Sequence, residues 1–278
     1  MEWVDDCYVS TLMTMDELFI EFDGRQLKVR TDIPGARDLF ERIYRPMLVP
    51  HLTSSAGRLD LVRNGAGYTV RGLEMVDTLE QPVELLTNYL TREVLLLFIK
   101  ARPDLLWIHA AAAEKDGSAL LIAGPSGQGK STLATRLCEI GWRFLSDDTA
   151  PVRMDADEVL PFPQAARRRK HPGREFIADE MGNLEKEEVP IPDAAMRLKP
   201  APIRGIVFPL FRHGAAPELS LRSPGDAALD LLRNCTNFPD HKETGVERVA
   251  SLARAVPMYH LVYGDGQAAA RELDARSS

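Results

Sequence analysis

Three groups of residues could do chemistry together. The first is Gly124-Pro125-Ser126-Gly127-Gln128-Gly129-Lys130-Ser131, followed by Thr132. It fits G-x-x-x-x-G-K-[ST] without a mismatch. Glycines let consecutive backbone N–H groups curl around phosphate oxygens, because a residue without Cβ takes the required dihedrals cheaply. A helix starting at Lys130 would aim its positive dipole end at the same anion. Lys130 would neutralise the outer phosphates of a nucleoside triphosphate, and the Ser131 hydroxyl would serve Mg²⁺. The second group is Asp147-Asp148. A phosphate-binding loop needs a carboxylate near Mg²⁺, usually at the end of a neighbouring strand. Two adjacent acids also permit a division of labour, one toward the metal and one taking a proton from an attacking hydroxyl. The third is His109, a lone histidine in an apolar stretch, where a satisfied core residue is the commoner reading.

The elements around these residues fit that use. Residues 105–112 read as a short apolar strand carrying His109, and 118–123 as a second strand leading straight into Gly124. A helix follows over 130–140 and closes at Gly141 as its C′ residue. Residues 142–146 read as a strand ending in the two aspartates. The other clear apolar strand, 203–210, ends in Phe211-Arg212 rather than an acid. Helices are expected at 224–234 and 245–255, then a strand at 258–262 and a polar tail from 274.

The first hundred residues read as a small α+β unit. A hairpin turns at Asp23-Gly24, a helix covers 36–44, and a second hairpin turns at Asn64-Gly65. Apolar spacing from 81 to 100 is helical, and Pro103 closes it. The division expected is an N-terminal unit at 1–103, a phosphate-loop domain at 104–273 and a tail at 274–278.

The totals set bounds. A chain of 278 residues makes one large domain or two modest ones, at roughly 100–200 residues each. Its net charge of −7 disfavours nucleic acid and anionic membrane as partners. Cys7, Cys138 and Cys235 are far apart, without the spacing of a zinc site or a disulfide framework. The N-terminus is acidic, unlike a signal peptide, and no apolar run approaches the ~20 residues of a membrane span. A cytoplasmic protein is the expectation.

The order of His109 strand, turn, strand, Gly-Pro-Ser-Gly-Gln-Gly-Lys-Ser, helix, Gly141, strand and Asp147-Asp148 resembles the catalytic domain of HPr kinase/phosphorylase. It also resembles its smaller relatives, including lasso-peptide kinases. The resemblance covers about residues 105–263 and is firmest over 109–148. It implies an α/β fold shared with phosphoenolpyruvate carboxykinases, a P-loop on a mixed, largely antiparallel sheet. It implies ATP and Mg²⁺ as cofactors, Asp148 as the base activating a serine hydroxyl, Asp147 nearer the metal, His109 beside the transferred phosphate, and a homo-oligomer. The later Glu-x-Arg-Gly stretch of that family is represented only by Pro202-Ile203-Arg204-Gly205, without its glutamate. A kinase for a serine or threonine of a peptide or small protein therefore fits better than one acting on HPr itself. The competing readings are a small-molecule or nucleotide kinase, an ATPase motor or transporter subunit, and a nucleotide sensor without catalysis. The basic run Arg167-Arg168-Arg169-Lys170 is either a solvated loop or a lining for an anionic ligand.

Overall fold

Asp23 and Gly24 take φ of 45° and 74°, the left-handed pair that a two-residue hairpin turn requires. They join β1 (Asp16–Phe22) to β2 (Arg25–Thr31) in antiparallel register. The computed structural model describes residues 15–65, 67–73, 75–78, 86–169 and 186–276. After α1 (Ala36–Tyr44) come β3 (Leu48–Val49), β4 (Ser55–Asn64), β5 (Gly67–Arg71) and β6 (Met75–Thr78). These six strands form one sheet in the order β3-β1-β2-β4-β5-β6, with β2 and β4 parallel. Helix α2 (Thr87–Ala101) buries Leu90, Val94, Leu97 and Phe98, a single stripe at helical spacing. The part of its expected span at 81–85 lies outside the described residues.

A second sheet begins at β7 (Leu105–Ile108), β8 (Ala110–Lys115) and β9 (Ser118–Ala123). Helix α3 (Lys130–Glu139) follows, then β10 (Arg143–Ser146), β11 (Ala150–Arg153) and β12 (Glu158–Val159). A separate ribbon pairs β13 (Ala166–Arg169) with β14 (Lys186–Val189). The chain continues through β15 (Ala201–Phe211), β16 (Glu218–Leu221), α4 (Pro224–Arg233), α5 (Phe238–Ala255), β17 (Met258–Tyr263) and α6 (Gly266–Ala275). The large sheet runs β10-β8-β9-β15-β12-β11-β7, with β17 on β15 and β16 on β17. It is mixed: β15 pairs in parallel with β9 and with β17, and the other pairings are antiparallel. The protein is therefore a mixed α/β structure with six α-helices among the described residues.

Four rings join the first sheet to the start of the second. Phe22 of β1, Phe98 of α2, Trp107 of β7 and Phe162 pack with centroids 5.2–5.8 Å apart. Such pairs contribute about 0.5–1.5 kcal/mol each beyond the area they bury. The same cluster gathers Leu27, Phe40 and Leu59 with Leu160, so one hydrophobic core crosses the boundary expected at residue 103. On the far side, α3 and α6 cover the sheet with Leu133, Ala134, Leu137, Ala269, Ala270 and Leu273.

Several expectations need correction. The single strand expected at 105–112 is two strands, broken at His109. Helix α6 occupies residues that carried no expected helix, because its apolar face is mostly alanine and its polar residues dominate the pattern. The polar tail accordingly starts after residue 274: Asp274 lies within α6 and accepts from Lys115 Nζ at 2.5 Å and Trp142 Nε1 at 2.7 Å. Helix α5 starts earlier than expected, with a break at Lys242 (φ 49°, ψ −122°). The acidic residues Glu187 and Glu188 lie in strand β14, which pairs with the basic strand β13, so Arg167 and Arg168 are in a ribbon rather than a loop. No helix among the described residues is long and apolar enough to cross a membrane.

Candidate active site

The glycine-rich loop joins β9 to α3. Gly124, Gly127 and Gly129 have φ of 142°, 88° and 88°, a region that side chains disfavour. Gly129 is the N-cap of α3, and the ladder opens with the Leu133 N–H on its carbonyl. The N–H groups of the first turn thus have no acceptor within the helix and point into the loop. Lys130 is only 4% exposed. Its Nζ donates to the carbonyls of Gly124 at 2.8 Å and Pro125 at 3.1 Å, and to His109 Nε2 at 2.9 Å. A buried ammonium requires such partners, since its unpaired burial is strongly unfavourable.

His109 sits on a seam in the sheet. Strands β8 and β10 pair Ala112 with Ser146, and β7 and β11 pair Ile108 with Ala150. The antiparallel register is the same on both sides of the gap. Between them the ladder is interrupted, at His109 on one strand and at Asp147-Asp148-Thr149 on the other. The His109 N–H leaves the sheet and donates to Asn234 O at 2.6 Å. Opposite it, a register shift between Phe144 and Ser146 precedes the aspartates. A bulge of this kind re-aims the residues beside it. Asp148 then takes φ 61°, which aspartate tolerates better than most residues.

The two interruptions are bonded to each other. His109 Nδ1 lies 2.7 Å from the Asp148 carbonyl oxygen. A carbonyl oxygen only accepts, so Nδ1 carries a proton. Nε2, facing an ammonium, then carries the lone pair. His109 is therefore a neutral Nδ1–H tautomer joining the Asp148 backbone to Lys130.

Asp147 is almost fully buried, at 1% exposure. Its Oδ2 accepts from the Arg167 N–H at 3.0 Å, and its carbonyl from Gln164 Nε2 at 2.9 Å. Arg167 in turn reaches α2, with Nη1 on Asn88 Oδ1 at 2.9 Å and Nη2 near Thr91 Oγ1 at 3.4 Å. The basic run thus divides: Arg167 is a strut from the aspartate turn to the N-terminal unit, while Arg168 pairs with Glu187. Lys170 lies outside the described residues. Arg248 is also buried, away from the loop's partners. It holds the carbonyls of Arg153 and Ala156 and the carboxylate of Asp157.

The structure therefore brings Lys130, His109 and Asp148 into one bonded chain beside the glycine-rich loop, with Asp147 next in sequence. Sequence reasoning missed the props. Gln164, Asn88 and Asn234 belong to no motif, and only the fold brings them to the site. Tyr263 is another: its Oη donates to Gln128 O at 3.0 Å, and burial pushes its phenol up to about 12. Gln128 Oε1 accepts from the Phe211 N–H at 3.2 Å, so both ends of that loop residue are pinned. Among the described residues, no three His, Cys, Asp or Glu side chains gather as a metal cage.

The profile of a family described as SynChlorMet cassette protein ScmC matches residues 74–178, less than half of the chain. No curated protein matches. Among solved structures, the HPr(Ser) kinase/phosphatase from Coxiella burnetii aligns with a TM-score of 0.29 at 12% identity, over 62% of this chain and 92% of that one. A score that low carries no argument about chemistry.

Proposed function

We propose that this chain is an ATP- and Mg²⁺-dependent phosphotransferase that acts on a serine or threonine hydroxyl of a peptide or small protein. The observation that carries the reading is the buried Lys130 ammonium, held in a left-handed glycine loop at a helix N-terminus and tied through His109 to the aspartate turn. Gly124, Pro125, Ser126, Gly127, Gln128, Gly129, Lys130, Ser131 and Thr132 form the triphosphate cradle, in which the N–H groups of all but Pro125 and the Lys130 ammonium offset its charge. The hydroxyl of Ser131 and the carboxylate of Asp147 are hard oxygen donors of the kind Mg²⁺ prefers. Mg²⁺ seldom needs a full protein cage, because it keeps waters and shares phosphate oxygens. When bound, it neutralises charge on the transferring group. Asp148 takes the proton of the acceptor hydroxyl. His109 orients Lys130 rather than moving a proton, since both ring nitrogens are engaged, Nδ1–H by the Asp148 carbonyl and the Nε2 lone pair by Lys130. A cytoplasmic location and a homo-oligomeric state belong to the same reading.

The test is direct. The protein is incubated with Mg-ATP and separate pools of peptides and small metabolites, and the products are read by intact mass. Transfer to peptides, lost in Asp148→Asn while ATP affinity persists, is the expected result. Transfer to metabolites alone would make it a small-molecule kinase. Tight ATP binding with no transfer to either pool would make it a sensor.

A further inference from the structure

The reacting end of a bound triphosphate, on the reading above, faces Lys130, His109 and Asp148. Those residues lie toward β8 and β10. The other flank of the glycine-rich loop is bordered by β15 and β17, which run parallel to β9 and end on the same side. Phe211, the last residue of β15, is 41% exposed there. Among the described residues it is the only aromatic among the exposed large apolar side chains.

This exposed ring is rigidly mounted. Its own N–H is bonded to Gln128, and its ring meets Tyr263 edge to face at 5.6 Å. Behind it, the Arg212 N–H donates to Tyr263 O, the Ala215 N–H to Arg212 O, and the Gly264 N–H to Ala215 O, at 2.8–3.0 Å. A Cβ on Gly264 would meet that turn at 2.6 Å, so the two loops are in close backbone contact. Gly266 next approaches Thr132, where a Cβ would lie 3.3 Å from the threonine methyl. A fixed aromatic ring therefore stands beside Gln128 of the loop, on the flank away from His109.

We infer that Phe211 is the platform on which the nucleobase of the bound triphosphate stacks. The inference rests on the nucleotide-binding reading. A triphosphate whose terminal group lies toward His109 would extend across the loop toward the ends of β15 and β17, the flank on which Phe211 is bonded to Gln128. A planar base emerging there gains a pre-oriented π face, at little cost in ordering the protein. Stacking is tolerant of base identity, since every base has such a face. Discrimination between ATP and GTP at this subsite is correspondingly weak.

The experiment compares binding of Mg-ATP and of inorganic tripolyphosphate, by calorimetry, to the wild type, Phe211→Ala and Phe211→Trp. Stacking predicts that Phe211→Ala weakens ATP on the order of tenfold while tripolyphosphate changes less than about twofold, and that Phe211→Trp retains ATP affinity. Equal loss for both ligands would show that Phe211 only props the loop, and would overturn the inference. Unchanged ATP affinity would overturn it too, while leaving nucleotide binding intact. Failure of the wild type to bind either ligand would instead sink the function proposed above, and this subsite with it.

Discussion

The hydroxyl of Tyr263 occupies the space that a side chain on Gly129 would need. Residue 129 is thus constrained twice, by a φ of 88° and by a neighbour whose Oη is bonded to Gln128 O. Gly129→Ala is expected to lower stability by about 2–3 kcal/mol, from left-handed strain together with the clash. Adding Tyr263→Phe removes the nearest atom and should recover part of that loss but not all. Chemical denaturation of the four proteins of the double-mutant cycle measures the coupling. Strict additivity would contradict the contact.

The neutral Nδ1–H form of His109 has a spectroscopic signature. Long-range ¹H–¹⁵N correlation should show its Nδ1 protonated and its Nε2 as a lone-pair nitrogen. Lys130→Met should shift the Nε2 resonance and leave Nδ1 bonded to Asp148 O. A wild-type ring protonated at Nε2 would refute the orientation described.

Arg167 connects the aspartate turn to α2 through Asn88 and Thr91. Arg167→Ala retains the backbone bond to Asp147 but removes the strut. The expected loss is about 1.5–3 kcal/mol, the range for hydrogen bonds to a charged group. Urea denaturation checks it, and hydrogen exchange should quicken at the start of α2. An unchanged midpoint would mean that the strut contributes nothing to stability.

The two described cysteines are poor nucleophiles. Burial pushes the Cys138 thiol up to about 12 and the Cys235 thiol up to about 11. The thiolate is the reacting form, so at pH 8 both should react with a disulfide reagent at least ~100-fold more slowly than a free cysteine. A Cys7→Ser variant isolates them, and unfolding in urea should release fast reaction of both. Rapid native-state labelling at either position would contradict the burial.

Asp274 carries a pH dependence of known sign. The hydrogen bond from Lys115, helped by Trp142, holds its carboxyl below the ordinary 3.8 against the opposing effect of burial. A folded-state value lower than the unfolded one gives stability that is present above the unfolded value and lost as pH falls through the folded one. The Tm advantage of the wild type over Asp274→Asn should therefore be full at neutral pH and shrink below about pH 3.8. An advantage that grew on acidification would reverse the assignment.

Much of this architecture could be read from residue order. Asp23-Gly24, the glycine loop and Gly141 announce their backbone, because few residues adopt those dihedrals. The helix over 36–44 and the strand leading into Gly124 carry clear periodicity. The break at His109 could not be read, since Leu-Leu-Trp-Ile-His-Ala-Ala-Ala is apolar on both sides of the histidine and gives no sign of a lost partner. It arises from the Asn234 carbonyl, supplied by a segment far along the chain. Likewise Gln164 and Asn88 are ordinary polar residues until folding sets them beside Asp147 and Arg167. Local pattern reveals local backbone, whereas a site's props come from contacts distant in sequence.

The pairing of α3 with α6 has a bearing on how the protein is made. Leu133 and Leu137 are covered by alanines from 269–270 and by Leu273, and Tyr263 braces Gln128. During synthesis on the ribosome, a chain grown only through Ala255 would hold every residue of the glycine-rich loop yet lack these supports. On the proposed nucleotide-binding reading, phosphate affinity should therefore appear abruptly, once α6 has emerged and packed on α3.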